Sequence, residues 1–168
     1  MNLLHSIKAR TENSDVNVVI EIPSGSKSKI EYDSDKETFV FDRIINTEVS
    51  FPFNYGFIPE TWENDGDPLD AIVLSSKPLE TGNVVVSRII GMLATTDEMG
   101  ADSKLITVPK SDTTETLDKK TVDNIEYFYK HYKLIEPEKW VDVDGYFSKE
   151  KAEIKLSEAI KRYHQHFQ

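Results

Sequence analysis

Val16-Asn17-Val18-Val19-Ile20-Glu21-Ile22 sets Val16, Val18, Ile20 and Ile22 at every second position, with Asn17, Val19 and Glu21 between them. That is the period of a half-buried strand. Pro23-Ser24-Gly25-Ser26 behind it reads as a turn. Beyond the turn, Lys29 and Glu31 fall on one face of a second strand, with Ile30 and Tyr32 on the other. Further strand candidates cover residues 39–45, 71–74, 84–92 and 105–108. The last third changes period. Ile125, Phe128, Tyr129, Tyr132 and Ile135 recur at helical spacing, with Thr121 as the expected cap and Pro137 as the expected stop. A second helix carries Ala152, Leu156, Ala159, Ile160, Tyr163 and Phe167 on one stripe after a Ser148 cap. Short strands followed by two helices predict an α+β, mainly β fold, a small barrel with helices against it.

Composition bounds the function. The chain has 168 residues and a formal charge of −10, with 38% hydrophobic residues, enough to build a core and too many for a disordered chain. One domain over residues 1–168 is expected, since no repeat, low-complexity tract or long linker divides the chain. There is no cysteine, which removes disulfides, thiolate zinc sites, iron–sulfur clusters and cysteine nucleophiles, and favours a cytoplasmic address. Residues 1–10 lack the apolar stretch of a signal peptide, and no run approaches membrane-spanning length. The acidic balance speaks against nucleic acid as a partner.

Some of the carboxylates are gathered. Asn64-Asp65-Gly66-Asp67-Pro68-Leu69-Asp70 places three within six residues. Gly66 permits a sharp turn and Pro68 keeps Asp67 out of helical geometry, so hard oxygen ligands can be aimed at one point, as Mg²⁺ requires. The segment is not an EF-hand, because Asp70 and Ser76 stand where that loop needs Gly and Glu. A solvated turn in an acidic protein is the alternative. A second cluster, residues 95–104, brings Asp97, Glu98, Asp102 and Lys104 onto what reads as a loop between two strands. Arg43 stands in an apolar run and could simply pair with Asp42; Tyr55 and Tyr132 could be core, and Lys133 solvated. Phosphate-binding glycine loops, H-E-x-x-H and G-x-S-x-G are absent, and four histidines without cysteine leave a zinc hydrolase few ligands. Carboxylates beside Lys and Arg suit metal-assisted phosphoryl chemistry.

Taken in order, these residues resemble the soluble family I inorganic pyrophosphatases of the prokaryotic type over nearly the whole chain. The likeness runs through 19–23, Gly25-Ser26, Lys29-x-Glu31, Asp42-Arg43 and Pro52-x-Asn54-Tyr55-Gly56-x-Ile58-Pro59-x-Thr61. It continues through Asp65-Gly66-Asp67-Pro68-Leu69-Asp70, Gly91-Met92, Asp97-Glu98, Asp102-x-Lys104, Val108-Pro109, Tyr132-Lys133 and Lys139-Trp140-Val141. The resemblance implies a five-stranded OB-like barrel flanked by two C-terminal helices, and hydrolysis of magnesium pyrophosphate to two phosphates. It implies Asp65, Asp70, Asp97 and Asp102 as principal ligands of several Mg²⁺ ions, with Glu21 and Glu31 assisting and Mn²⁺ able to substitute. Asp67 is then the general base. Lys29, Arg43, Tyr55, Lys104, Tyr132 and Lys133 bind phosphate, Glu98 has a supporting role, and the assembly is a homohexamer.

The chain departs from the family pattern at Ile30, Phe51 and Tyr127, and Tyr146 stands near a usual Trp; none is a proposed ligand or the base. Two rival readings stand beside this one. A phosphohydrolase acting on nucleotides would turn over nucleoside triphosphates as fast as pyrophosphate. A non-catalytic OB-like binding module would bind metal without turnover, although such modules use basic grooves and this chain is acidic.

Overall fold

The computed structural model describes residues 1–46, 48–133 and 138–168. Ten elements follow in the order β1 (Val16–Ile22), β2 (Ser28–Asp33), β3 (Thr38–Ile44), β4 (Asn54–Phe57), β5 (Asp70–Val73), β6 (Val84–Asp97), β7 (Gly100–Pro109), α1 (Lys119–His131), β8 (Val141–Phe147) and α2 (Lys149–Phe167). Neighbours in the main sheet run β1-β4-β5-β7-β6-β8, and β1 also pairs with β6. That last pairing closes β1, β4, β5, β7 and β6 into the expected five-stranded ring. All its pairings are antiparallel except β5 with β7. β8 extends the sheet from the far half of β6, and β2 with β3 forms a separate hairpin.

Local sequence explains the closure. Gly56 lies opposite Ile20, and a Cβ there would stand 1.8 Å from the Val19 carbonyl oxygen, so only glycine lets β4 approach β1 so closely. A register shift between Ile20 and Ile22 breaks the alternation of β1. Val16, Val18 and Ile20 therefore join one core cluster, with Leu69, Ala71, Val73, Leu105 and the α2 residues Ala152, Leu156 and Ala159. Ile22 joins a second cluster, with Ile72, Leu93, Ile106, Phe51, Phe53 and the α1 residues Ile125, Phe128 and Tyr129. Each helix thus seals its own side of the barrel.

The sequence expectations hold for both helices, with one correction. Asp118, not Thr121, caps α1: its carboxylate accepts the Thr121 backbone N–H at 2.8 Å. Ser148 caps α2 as expected. The stripe position Ile135 and the expected stop Pro137 lie outside the described residues, and α1 already ends at His131. The segment 95–104 is not a loop. β6 runs to Asp97, β7 starts at Gly100, and the two pair closely down to Asp97 opposite Gly100. Gly100, at φ +114, supplies the backbone conformation that the tight reversal needs.

Candidate active site

Seven parts of the fold bring the singled-out residues to one end of the barrel. Asp70 opens β5 directly beside Lys104 of the parallel neighbour β7. Asp102 lies two residues earlier on β7 and therefore on the same face. The Lys104 ammonium sits 2.5 Å from Asp102 Oδ2 and 3.6 Å from Asp70 Oδ2. Tyr55 of β4 donates its hydroxyl to Asp70 Oδ2 at 2.7 Å, and Lys104 stands 5.4 Å from the centre of its ring. Tyr55, Asp70, Lys104 and Asp102 therefore form one unbroken chain of contacts.

The loop before β5 holds Asp65 and Asp67. Gly66 has φ +86, and the Asp67 N–H donates to Asp65 Oδ1 at 3.1 Å, which tightens the turn. Glu21 reaches in from β1 at its register shift, buried, with Oε2 accepting the Tyr32 N–H at 2.7 Å. From the β2–β3 hairpin, Lys29 contacts Glu31 at 3.2 Å and Asp42 at 3.6 Å. Arg43, opposite Lys29 in the register, donates to Asp42 Oδ2 at 2.6 Å, so the simple pairing considered from sequence exists and still leaves the cation at the site.

A second group closes the site beyond the β6–β7 hairpin. Lys133 lies 3.1 Å from Glu98 Oε1 and 3.4 Å from Asp97 Oδ2, and it is buried rather than solvated. Tyr132 ends α1, its ring stacked on Phe128 at 4.9 Å, and feels the positive charge of Lys133, Lys104 and Lys29. It is thus both core and a link between the two groups.

The electrostatics show an excess of negative charge. Desolvation pushes the Glu21 carboxyl well above its ordinary value, and Asp70, Glu31 and Asp67 add to the shift. Asp70 keeps 31% of its side-chain surface exposed, yet crowding strips its hydration and pushes its carboxyl up to about 7. Lys104 and the Tyr55 hydroxyl oppose that rise, while Asp102 and Asp67 reinforce it. Asp67 is raised by partial burial and then by Asp65, Glu31 and Asp102, against the pull of Lys29. Burial works against the charge of Lys104, but Tyr129, Asp70 and Asp102 outweigh it and raise its pKa well above normal. Tyr129 is a residue the sequence reading treated only as core stripe; its buried phenol beside Lys104 has no signature in the chain.

Among the described residues, no three His, Asp or Glu side chains converge tightly enough to grip a metal as they stand. Lys104 and Lys133 lie between the carboxylates instead. The donor set nevertheless fits a hard divalent cation: every donor is a carboxylate oxygen, and mutual repulsion with lost hydration is what such an ion relieves.

Comparison with known proteins identifies the family. A family profile described as inorganic pyrophosphatase matches residues 18–164. The chain is 43% identical to an inorganic pyrophosphatase of Saccharolobus solfataricus, over 88% of this chain and 91% of that one. It is 42% identical to one from Rickettsia typhi, over 96% and 97%. Among solved structures, inorganic pyrophosphatase from Thermus thermophilus superposes with a TM-score of 0.92 at 36% identity, covering 98% of this chain and 99% of that one. With the family profile, these relatives and the superposed fold in agreement, the chain belongs to the inorganic pyrophosphatase family.

Proposed function

We propose that the chain hydrolyses inorganic pyrophosphate to two phosphates, with Mg²⁺ as its metal, Mn²⁺ as a substitute and Asp67 as general base. The contact chain Tyr55–Asp70–Lys104–Asp102, in which acids and a charged lysine meet beside Asp67, carries this reading. Asp65, Asp70, Asp97 and Asp102 would hold the ions, assisted by Glu21 and Glu31. Bound there, divalent ions neutralise a diphosphate and make water more acidic.

The protein's residues do the remaining work. Asp67 takes the proton of the attacking water; its position beside Asp65 and Asp102, partly buried, supports this role. Lys29 and Arg43 from the hairpin, Tyr55 and Lys104 from the barrel, and Tyr132 and Lys133 beyond α1 hold the two phosphoryl groups from three sides. The fixed charges of the lysines and the arginine, with the hydroxyls of the two tyrosines, stabilise the oxygens as the bridging bond breaks. Residues 1–168 act as one domain, in the cytoplasm and as a homohexamer; family membership supports these parts of the reading.

The test is phosphate release from pyrophosphate with and without Mg²⁺, comparing the parent with Asp67→Asn. The expected result is Mg²⁺-dependent release that falls by about 10²–10⁴-fold in the variant. Unchanged release would keep the reaction and remove Asp67 as base. A folded parent that releases none would remove the reaction.

A further inference from the structure

The turn bearing Asp65 and Asp67 is fastened from behind by α2. The Glu63 N–H donates to the Asp67 carbonyl at 2.8 Å, and the Gly66 N–H donates to the Glu63 carbonyl at 3.2 Å, so the turn closes on Glu63. The Glu63 carboxylate is only 13% exposed and is divided between two cations of α2. Lys155 meets its Oε2 at 2.6 Å and Arg162 meets its Oε1 at 3.1 Å. The same Arg162 nitrogen donates to the Trp62 carbonyl at 3.1 Å, and the Trp62 N–H donates to the Ala159 carbonyl at 3.0 Å. Loop side chain and loop backbone are both tied to one helix.

We propose that Glu63, Arg162 and Lys155 are positioning residues for the Asp65–Asp67 turn; this rests on the function proposed above. An exposed surface ion pair contributes little. This carboxylate is different, because it is largely shielded and held at both oxygens by a helix whose other face is anchored in the core. A short glycine-containing turn has conformational freedom of its own, and a base displaced by about 1 Å can lose up to 10²-fold in rate. The clamp removes that freedom without touching substrate.

The experiment uses a Trp140→Phe background, which leaves Trp62 as the only tryptophan of the two in the sequence. Pyrophosphate turnover and Trp62 emission during Mg²⁺ titration are compared between that parent and Arg162→Met. The expected result is a kcat lowered about tenfold or more with KM within about twofold, together with a changed Trp62 response. Arg162→Lys, which keeps the charge, should recover most of the kcat. A parental kcat in Arg162→Met overturns the proposal, and so does a lowered kcat with an unchanged Trp62 titration. If Arg162→Met does not fold, Glu63→Gln is read by the same criteria. If the parent itself has no turnover, the functional reading has failed, and the Trp62 response alone decides: altered supports the clamp, unaltered overturns it.

Discussion

Asp70 concentrates the physical conflict of the site in one carboxyl. It accepts the Tyr55 hydroxyl and lies near the Lys104 ammonium, both of which favour its charged form. Desolvation, Asp102 and Asp67 outweigh them, and its pKa rises to about 7. A carboxyl raised in the fold contributes stability that is fully present below its unfolded pKa, about 3.9, and is lost as pH climbs through about 7. In protein stripped of divalent ions by a chelator, Asp70→Asn should therefore gain in melting temperature over the parent as pH rises from 5 to 8. A gain of several degrees at the upper end is expected, since each kcal/mol moves a domain of this size by about 2–4 °C. Equal melting temperatures at every pH would show that Asp70 is charged throughout this range. Glu21 and Asp67 shift in the same direction, so Asp70→Asn should itself retain some of the pH slope.

At the scale of the element, α2 works on two sides. Ala152, Leu156, Ala159 and Tyr163 are buried, and the two alanines let the helix approach the barrel closely. Leu156→Ala should cost about 2–5 kcal/mol of stability by opening a cavity, while turnover per folded molecule stays near parental. Denaturant unfolding beside activity measures both; a large loss of turnover with little loss of stability would assign Leu156 to the site rather than the core. The buried stripe of α2 was legible because helical periodicity is local, and the Asp65–Asp70 loop was legible because its glycine, proline and acids lie within six residues. Where the expectations missed, distance or polarity hid the answer. Residues 95–104 are polar on both faces, so hairpin strands looked like a loop, and β4 carries Gly56, a weak strand former that only a close approach to Val19 explains. Contacts such as Glu63 to Arg162 join residues 99 positions apart and leave no local pattern at all.

For the whole molecule, the unanswered feature is apolar surface outside the site. Phe41 of β3 is 57% exposed, and Ile44 on the same strand and Val84 and Val86 on β6 are also exposed. The Phe39 ring of β3 lies 3.5 Å from where a Gly82 side chain would begin, in the turn before β6. On α1, Tyr127 is 58% exposed and stacks on His131 at 4.1 Å. Single exposed apolar residues are ordinary, whereas several on one strand, as Phe41 and Ile44 on β3, mark a contact surface. A formal charge of −10 per chain opposes association, so copies of this chain would meet through such apolar regions rather than through their acidic ones. If the homohexamer proposed above holds, sedimentation at assay concentration gives six 19.2 kDa chains, about 115 kDa. Phe41→Glu, which adds a charge where β3 is apolar and exposed, should shift the distribution toward lighter species while the Mg²⁺-dependent reaction persists in them. A parent that sediments as a single chain would reject the hexamer and leave the exposed apolar residues of β3 to some other partner.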